Sequence, residues 1–288
     1  MCRNSDIGVF RARGFSLVEL MVAVVIGLLV LAAVTTILVN SKKNYTVQDS
    51  LARLQENARF AVDSITRGMR MSGHFGCAHE PLKATQNQLA VGGTLYNATT
   101  GLAGVEDIAV GTSKWYPSAE NTADPSGTIK YVPGSDVLLV RYMNGAGAAL
   151  AVSMTAPTDP LIVTPNSNAP LNNGDIAIDA DCDTADLFQI TAVTSNNDGT
   201  LTVAHATGAN KKDSFGDLDQ PKNYELDQRP IITGFTIVRY FVATNTDRPG
   251  RPGLYRQIGA AAPQELVEGI ESMQILYGVN TSQPPPAN

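Results

Sequence analysis

The sequence predicts an α+β protein. One long N-terminal helix, apolar enough to span a membrane in its first half and amphipathic in its second, packs on a C-terminal antiparallel β-rich domain. Three observations carry that class. Residues Leu17–Val39 form an unbroken apolar run whose sole ionisable side chain is Glu19. From Val47 to Met69 the apolar positions Val47, Leu51, Leu54, Ala58, Ala61, Ile65 and Met69 recur every three or four residues, as on a helix with one packed face. After Pro81 the pattern breaks into short β-like runs separated by Gly, Asn, Asp and Pro clusters.

A helix over Leu17–Val39 is about 34 Å long, enough for the ~30 Å hydrocarbon core of a bilayer. The run is longer than the apolar region of an ordinary cleaved signal peptide, about 7–15 residues. Arg11 and Arg13 just before it favour a cytoplasmic N-terminus, against a smaller vote from Lys42 and Lys43 on the other flank. Glu19 is the anomaly. A carboxylate about a turn into an apolar span costs ~2.5–3.5 kcal/mol on insertion scales, so it calls for a partner or a function. A plain anchor, or a signal peptide cut near Ala32-Ala33, leaves it unexplained.

The helix continues past the apolar run. Opposite its apolar stripe it carries Asp49–Arg53 and Asp63–Arg67, both acid-before-base at i,i+4 and worth a few tenths of a kcal/mol each. Gly73 is the expected C-cap. One helix over Phe15–Ser72 is about 87 Å long. Its first half belongs in lipid. In its second half, Tyr45 and the stripe Leu51–Ile65 are expected to bury against the β domain.

Candidate strands are Gln88–Val91, Thr128–Val132, Asp136–Tyr142, Leu150–Ser153, Leu161–Thr164, Asp175–Asp179, Leu187–Val193, Thr200–His205, Phe235–Ala243 and Leu254–Ile258. Asn197-Asp198-Gly199 reads as a hairpin turn. Gly101–Ser126 and Lys211–Arg229 read as long polar loops. Within Gln264–Tyr277, the alternation from Ile270 onward reads as one more strand. No internal repeat and no second-domain linker is evident.

The stretch Gly14-Phe15-Ser16-Leu17-Val18-Glu19, followed by its apolar run, resembles the type III signal of type IV prepilins and pseudopilins. That resemblance implies cleavage by the prepilin peptidase between Gly14 and Phe15, and N-methylation of Phe15. Glu19 would then neutralise the N-terminal ammonium of a neighbouring subunit, two charges each costly alone in low dielectric and tolerable as a pair. Gln55 to Ala61 and Met71 to Cys77 resemble the PilW-type minor pilins, and Leu266 to Gly278 is similar to sequence late in PilW-like and pseudopilin-J-like chains. Many major pilins have a helix-breaking proline in the membrane half; here there is Gly27 and no proline before Pro81. Members of the family usually run on through further strands after the Leu266–Gly278 region. This chain instead reads Pro284-Pro285-Pro286-Ala287-Asn288, which cannot join a sheet interior and leaves truncation relative to those members an open expectation.

The expected organisation is a cleaved leader at 1–14, a membrane and filament-core half-helix at 15–40, an amphipathic half at 41–73, and a β-rich domain with a polar tail at 74–288. The resemblance implies a minor pilin that primes assembly of a type IV pilus or sits at its tip, supporting adhesion and twitching motility. Its partners would be the prepilin peptidase, other minor pilins, the major pilin, a tip adhesin and inner-membrane lipid. It would be held in the inner membrane with a periplasmic domain, then carried to the fibre and cell surface. It would be a peptidase substrate rather than an enzyme, without a cofactor. Two other readings stay open: a J-like pseudopilin of a type II secretion system, and a single-pass anchored binding protein or enzyme with an uncleaved helix.

Composition and motifs narrow the chemistry. Loss of residues 1–14 removes Arg3, Arg11, Arg13 and Asp6, taking the net charge from −6 to −8. An acidic chain offers no electrostatic footprint for nucleic acid. Gly-x-Ser-x-Gly, His-Glu-x-x-His and a phosphate-binding glycine loop are all missing, and His205 has no evident Ser or Cys partner. Of three cysteines, Cys2 lies in the leader, leaving Cys77 and Cys182 in a chain placed outside the cytoplasm. PilW-like chains carry cysteines in both places. A Cys77–Cys182 disulfide, which would close a loop of about a hundred residues, is therefore set against two buried free thiols. His74, Cys77 and His79 are zinc-like ligands lacking an evident fourth, so a surface turn is the alternative. Asp179, Asp181 and Asp183 resemble the start of a calcium loop, but the turn glycine is missing and position twelve is Ile190. A solvated acidic turn is the alternative there.

Overall fold

The structure, a computed structural model, describes residues 14, 16–75, 84–90, 96, 100–106, 129–181, 184–211 and 224–278. The chain divides into two compact units, Met1–Glu56 and Asn57–Asn288.

The first unit is the helical shaft. Helix α1 (Leu17–Met71) is continuous across the Leu17–Val39 run and contains the one segment, among the described residues, long and apolar enough to cross a membrane. Its glycine, Gly27, sits in the span without breaking it, since no proline removes an N–H or obstructs a carbonyl. Thr35 and Thr36 return their hydroxyls to the carbonyls of Leu31 and Ala32, so these two polar groups are satisfied within the helix. Tyr45 and Leu54 are 74 % and 61 % exposed. Leu51, at 53 %, is exposed as well, and within the second unit the covered positions of α1 run from Asn57.

The second unit joins the last turns of α1 to thirteen described strands. The Asp63–Arg67 pair forms at 3.0 Å, as Asp49–Arg53 does in the first unit. The helix ends as the glycine requires. Gly73 takes a left-handed conformation (φ 73°), and the His74 N–H reaches back to the Met71 carbonyl.

The spine of the sheet is β11 (Ile231–Asn245), fifteen residues and continuously buried from Ile237 to Ala243. Its first residues pair antiparallel with β5 (Ala148–Val152) and β7 (Ile176–Ala180). The rest pairs with β4 (Val137–Met143), β12 (Pro252–Ile258) and β3 (Ile129–Tyr131). Beyond β7 the sheet continues through β8 (Thr184–Gln189) to β1 (Ala84–Asn87), the latter pair parallel. Beyond β5 it runs through β6 (Leu161–Thr164) and β10 (Leu201–Ala204) to β9 (Ala192–Ser195). The hairpin at Asn197-Asp198-Gly199 joins β9 to β10 as expected, with Gly199 at φ 84°. The remaining strands are β2 (Leu102–Val105), beside β4, and β13 (Gln264–Glu268), beside β12.

Alternation decides which face of β4 and β11 goes where. Val137, Leu139, Met143, Phe235, Ile237 and Phe241 point into a core shared with Ile178 and Leu187 of the other half-sheet. Leu138, Val140, Val238 and Tyr240 point the opposite way, into a second core closed by Ala61 and Ile65 of the helix. A third core joins Leu150, Val163, Phe188 and Val203 around Tyr224.

Several sequence expectations shift. The first described strand ends at Asn87, Leu89 forms an isolated bridge with Asn210, and Val91 lies outside the described residues. The run Leu187–Val193 is two strands, because the chain turns at Ile190 and Thr191 to leave β7 for β10. Gly101–Ser126 is not wholly loop: Leu102–Val105 is a strand, and 107–128 lie outside the described residues. The strand expected from Ile270 is displaced upstream to β13. Gly269, at φ 83°, turns the chain out of the ladder there. Residues 270–278 then run as an extended segment with no strand partner. The β3–β4 turn holds this segment instead. Met273 N–H donates to Ser135 Oγ (3.0 Å), Asp136 N–H to the Met273 carbonyl (2.9 Å), and Ile275 N–H to Asp136 Oδ2 (2.8 Å). Ile270, Met273 and Ile275 pack beside the helix in the second core.

His205 lies in the third core. Its Nε2 is 2.9 Å from the Asp159 carbonyl and its ring is edge-on to Phe188. Burial pushes its pKa below the ordinary 6.5, partly offset by that carbonyl and by the Asp159 carboxylate.

Two outcomes follow. Replacing Asp136 with Ala removes a buried acceptor, so hydrogen exchange at Met273–Ile275 should accelerate and stability should fall by about 1–3 kcal/mol. Because the folded pKa of His205 is depressed, its contribution to stability is complete above about 6.5 and is lost as pH falls through the lower folded value. Urea midpoints of the detergent-solubilised chain should therefore drop below that pH, and His205→Gln should flatten that part of the profile. Asp159 sits in a separate window. Hydrogen bonds from Thr155 and Ala156 hold its carboxylate below its ordinary 3.8, so its loss comes only at stronger acid.

Candidate functional site

The candidate features are built on the helix, first at its start. Ser16 immediately precedes α1, and its carbonyl accepts the Leu20 N–H at 3.1 Å. Glu19 falls in the first turn. A carboxylate there faces the positive end of the helix dipole, so its position suits the local helix. Gly14 and Glu19 are exposed, as is every residue of the apolar run, so the carboxylate and its apolar surroundings are presented outward together. Phe15 lies outside the described residues.

The second feature is the seam between the last turns of the helix and the sheet, all within the second unit. Asn57, Ala61, Ser64, Ile65 and Gly68 share one helix face, at spacings of three and four. Ala61 is buried, and the other four are half-buried. Small side chains bring the helix backbone close to the sheet. At one end, Asn57 Nδ2 donates to the Glu268 carbonyl at 3.1 Å; at the other, the Tyr240 hydroxyl donates to the Ser64 carbonyl at 3.3 Å. Burial raises the Tyr240 pKa, so the hydroxyl remains a donor. Both bonds end on backbone carbonyls, so the seam attaches the helix to the sheet.

Residues singled out by chemistry fare differently. Cys77, Cys182, His79 and Asp183 lie outside the described residues, so the disulfide and the zinc and calcium sets have no described geometry. His74 is exposed, with its carbonyl bonded to the Met143 N–H. Asp179 and Asp181 are not on a solvated turn. They are 1 % and 2 % exposed, and Asp186 is 5 % exposed. Asp179 and Asp186 face each other across β7 and β8. The Tyr224 hydroxyl lies 2.8 Å from Asp186 Oδ2 and 3.0 Å from the Asp179 carbonyl. Burial, then the two carboxylates, push the Tyr224 pKa well above its ordinary 10. Among the described residues no group of three or more His, Cys, Asp or Glu side chains is arranged to hold a metal ion.

Some structural residues escaped the sequence reading. Arg141 and Arg239 are buried in β4 and β11. Arg141 Nη1 donates to Thr100, and Arg239 Nη1 donates to Gln257 Oε1 (2.9 Å) and the Gly259 carbonyl (3.0 Å). Neither position departs from an apolar strand pattern in a way that names its partner. Gly68 did leave a signal, as the one glycine inside the amphipathic half of the helix.

Two family models match the chain. The prokaryotic N-terminal methylation motif covers residues 10–35, and the type IV pilus-assembly protein W model covers residues 239–287. No curated protein and no solved structure matches. The two matches support a PilW-type pilin with a prepilin signal, related to the type IV pilus. They also fall on the two candidate features: the first spans the start of α1, and the second runs from Arg239 through Tyr240, β12 and β13, the strands that carry the helix seam.

Proposed function

We propose that this chain is a minor pilin, inserted in the inner membrane with its N-terminus cytoplasmic and its β domain periplasmic, and drawn from there into a type IV pilus. The observation that carries this reading is a methylation motif at the start of a 55-residue helix whose apolar run holds a single carboxylate. Prepilin peptidase cuts between Gly14 and Phe15 and the new amine of Phe15 is methylated. In the bilayer Glu19 lies near the cytoplasmic end of the span. During assembly, the amine of an adjoining subunit gives this carboxylate an opposite charge in low dielectric, which offsets the insertion cost of both.

In this reading residues 1–14 are the leader, 15–40 the membrane and fibre-core half of the helix, 41–73 its amphipathic half, and 74–288 the β domain. The subunit acts with other minor pilins and the major pilin to prime assembly or occupy the tip, where it supports adhesion and twitching motility. A tip adhesin is a further partner. A Cys77–Cys182 bridge would join the chain just past the helix to the region before β8. In the chain-entropy account it would stabilise the fold by up to about 4.7 kcal/mol. A type II secretion pseudopilin shares the signal and helix, but the match at residues 239–287 favours the pilus.

Intact-mass analysis of protein from the native envelope should show loss of residues 1–14 and one methyl group on Phe15. Glu19→Ala should still be cleaved and remain membrane-bound but be lost from sheared fibres by at least about tenfold, whereas Glu19→Asp should retain part of the incorporation. An uncleaved N-terminus, or full incorporation of Glu19→Ala, would overturn the reading.

A further inference from the structure

We propose that Tyr240 and Gly68 form a register key that selects one position of the helix on the sheet. α1 contains two glycines. Gly27 has open space around it, whereas a Cβ added at Gly68 would collide with the Tyr240 hydroxyl and sit 3.0 Å from the ring carbons Cε2 and Cζ. The Tyr240 side chain therefore occupies the space that any other residue at position 68 would need.

The neighbouring positions on this face explain the selectivity. One turn toward the N-terminus the helix offers Ser64, and one turn toward the C-terminus the chain offers Ser72; both carry a Cβ. A slip of one turn, about 5.4 Å, would set one of those side chains against the tyrosine. In the register observed, the absent side chain lets the hydroxyl reach the helix backbone and donate to the Ser64 carbonyl. A glycine inside a helix ordinarily weakens it relative to alanine, so its presence here calls for a reason, and the tyrosine supplies one.

The rest of the seam is permissive by comparison. Ala61 and Ile65 meet Leu138, Val238 and Leu254 through non-directional apolar contact, which a slipped helix could partly re-form. Asn57 donates to a backbone carbonyl, of which β13 offers others. Tyr240 is thus a positioning residue: it decides which helix turn meets the sheet. Only the consequence for fibre placement rests on the pilin reading, since subunits joined through their helices would present a slipped β domain at a different height.

The test uses the full chain in detergent, followed by hydrogen exchange, with β11 as the internal control for folding. Gly68→Ala, a change that ordinarily strengthens a helix, should make residues 57–71 exchange at least about tenfold faster while β11 stays protected. Tyr240→Phe in that background should recover part of the loss. Moving the glycine by one turn, with Gly68→Ala and Ser64→Gly together, should restore protection. It should also change the distance between spin labels at Arg59 and Ile258, introduced as a non-natural amino acid, as expected for a slip of about 5.4 Å along the helix axis. Equal or better protection in Gly68→Ala would overturn the proposal. So would restored protection in the double variant at an unchanged label distance. Both readouts come from the isolated chain, so they stand apart from fibre assays: failure of incorporation with the key intact counts against the pilin reading alone.

Discussion

Both faces of β4 and β11 are apolar, and both must be covered. One face closes against the other half of the sheet. The opposite face, with Leu138, Val140, Val238, Tyr240 and Leu254, is closed by the last turns of the helix and by the extended segment after Gly269. A strand pair cannot leave such a surface in water without losing about 25 cal/mol for each Å² exposed. This need ties the helix to the β domain, and it draws residues 270–275 over the sheet although they form no ladder with it.

That arrangement separates two demands on one helix. Where it must meet its own domain it uses small residues, so backbone and sheet approach closely and a tyrosine hydroxyl can reach a helix carbonyl. Before Asn57 it exposes large apolar side chains, first across the Leu17–Val39 run and then at Val47, Leu51 and Leu54. Such a surface needs lipid or other helices around it, which accords with the methylation motif at its start and its relation to the type IV pilus.

Buried polar groups in the β domain tie its strands together. Arg141 and Arg239 have their guanidinium groups bonded to carbonyl and amide oxygens. Tyr224 bridges two strands through Asp186 and the Asp179 backbone, and His205 anchors the turn at Asp159. Each polar group placed among apolar neighbours costs desolvation that only correctly positioned partners offset, so these residues favour one strand arrangement over its near alternatives. The acidic stretch that resembled a calcium loop belongs to this class in its described members: Asp179 and Asp181 are interior residues of the sheet and its margin.

What the sequence determined by itself was whatever depends on near neighbours. The long apolar run, the i,i+4 ion pairs, the glycine that ends the helix and the Asn197-Asp198-Gly199 hairpin each rest on interactions within a few residues, and period and turn chemistry state them directly. The signal around Gly14 and Glu19 was legible for the same reason. The tertiary structure decided what depends on partners far along the chain: the division of Leu187–Val193 between two strands, the pairing of Leu102–Val105, and the segment after Gly269 held by Ser135 and Asp136. It also placed the tyrosine over Gly68, 172 positions away in sequence. Alternation reports which residues share a face, but a run of apolar residues is equally content against any complementary surface. Only the packed chain chooses among those surfaces, because the choice is made by shape and by the hydrogen bonds each alternative would leave unmade.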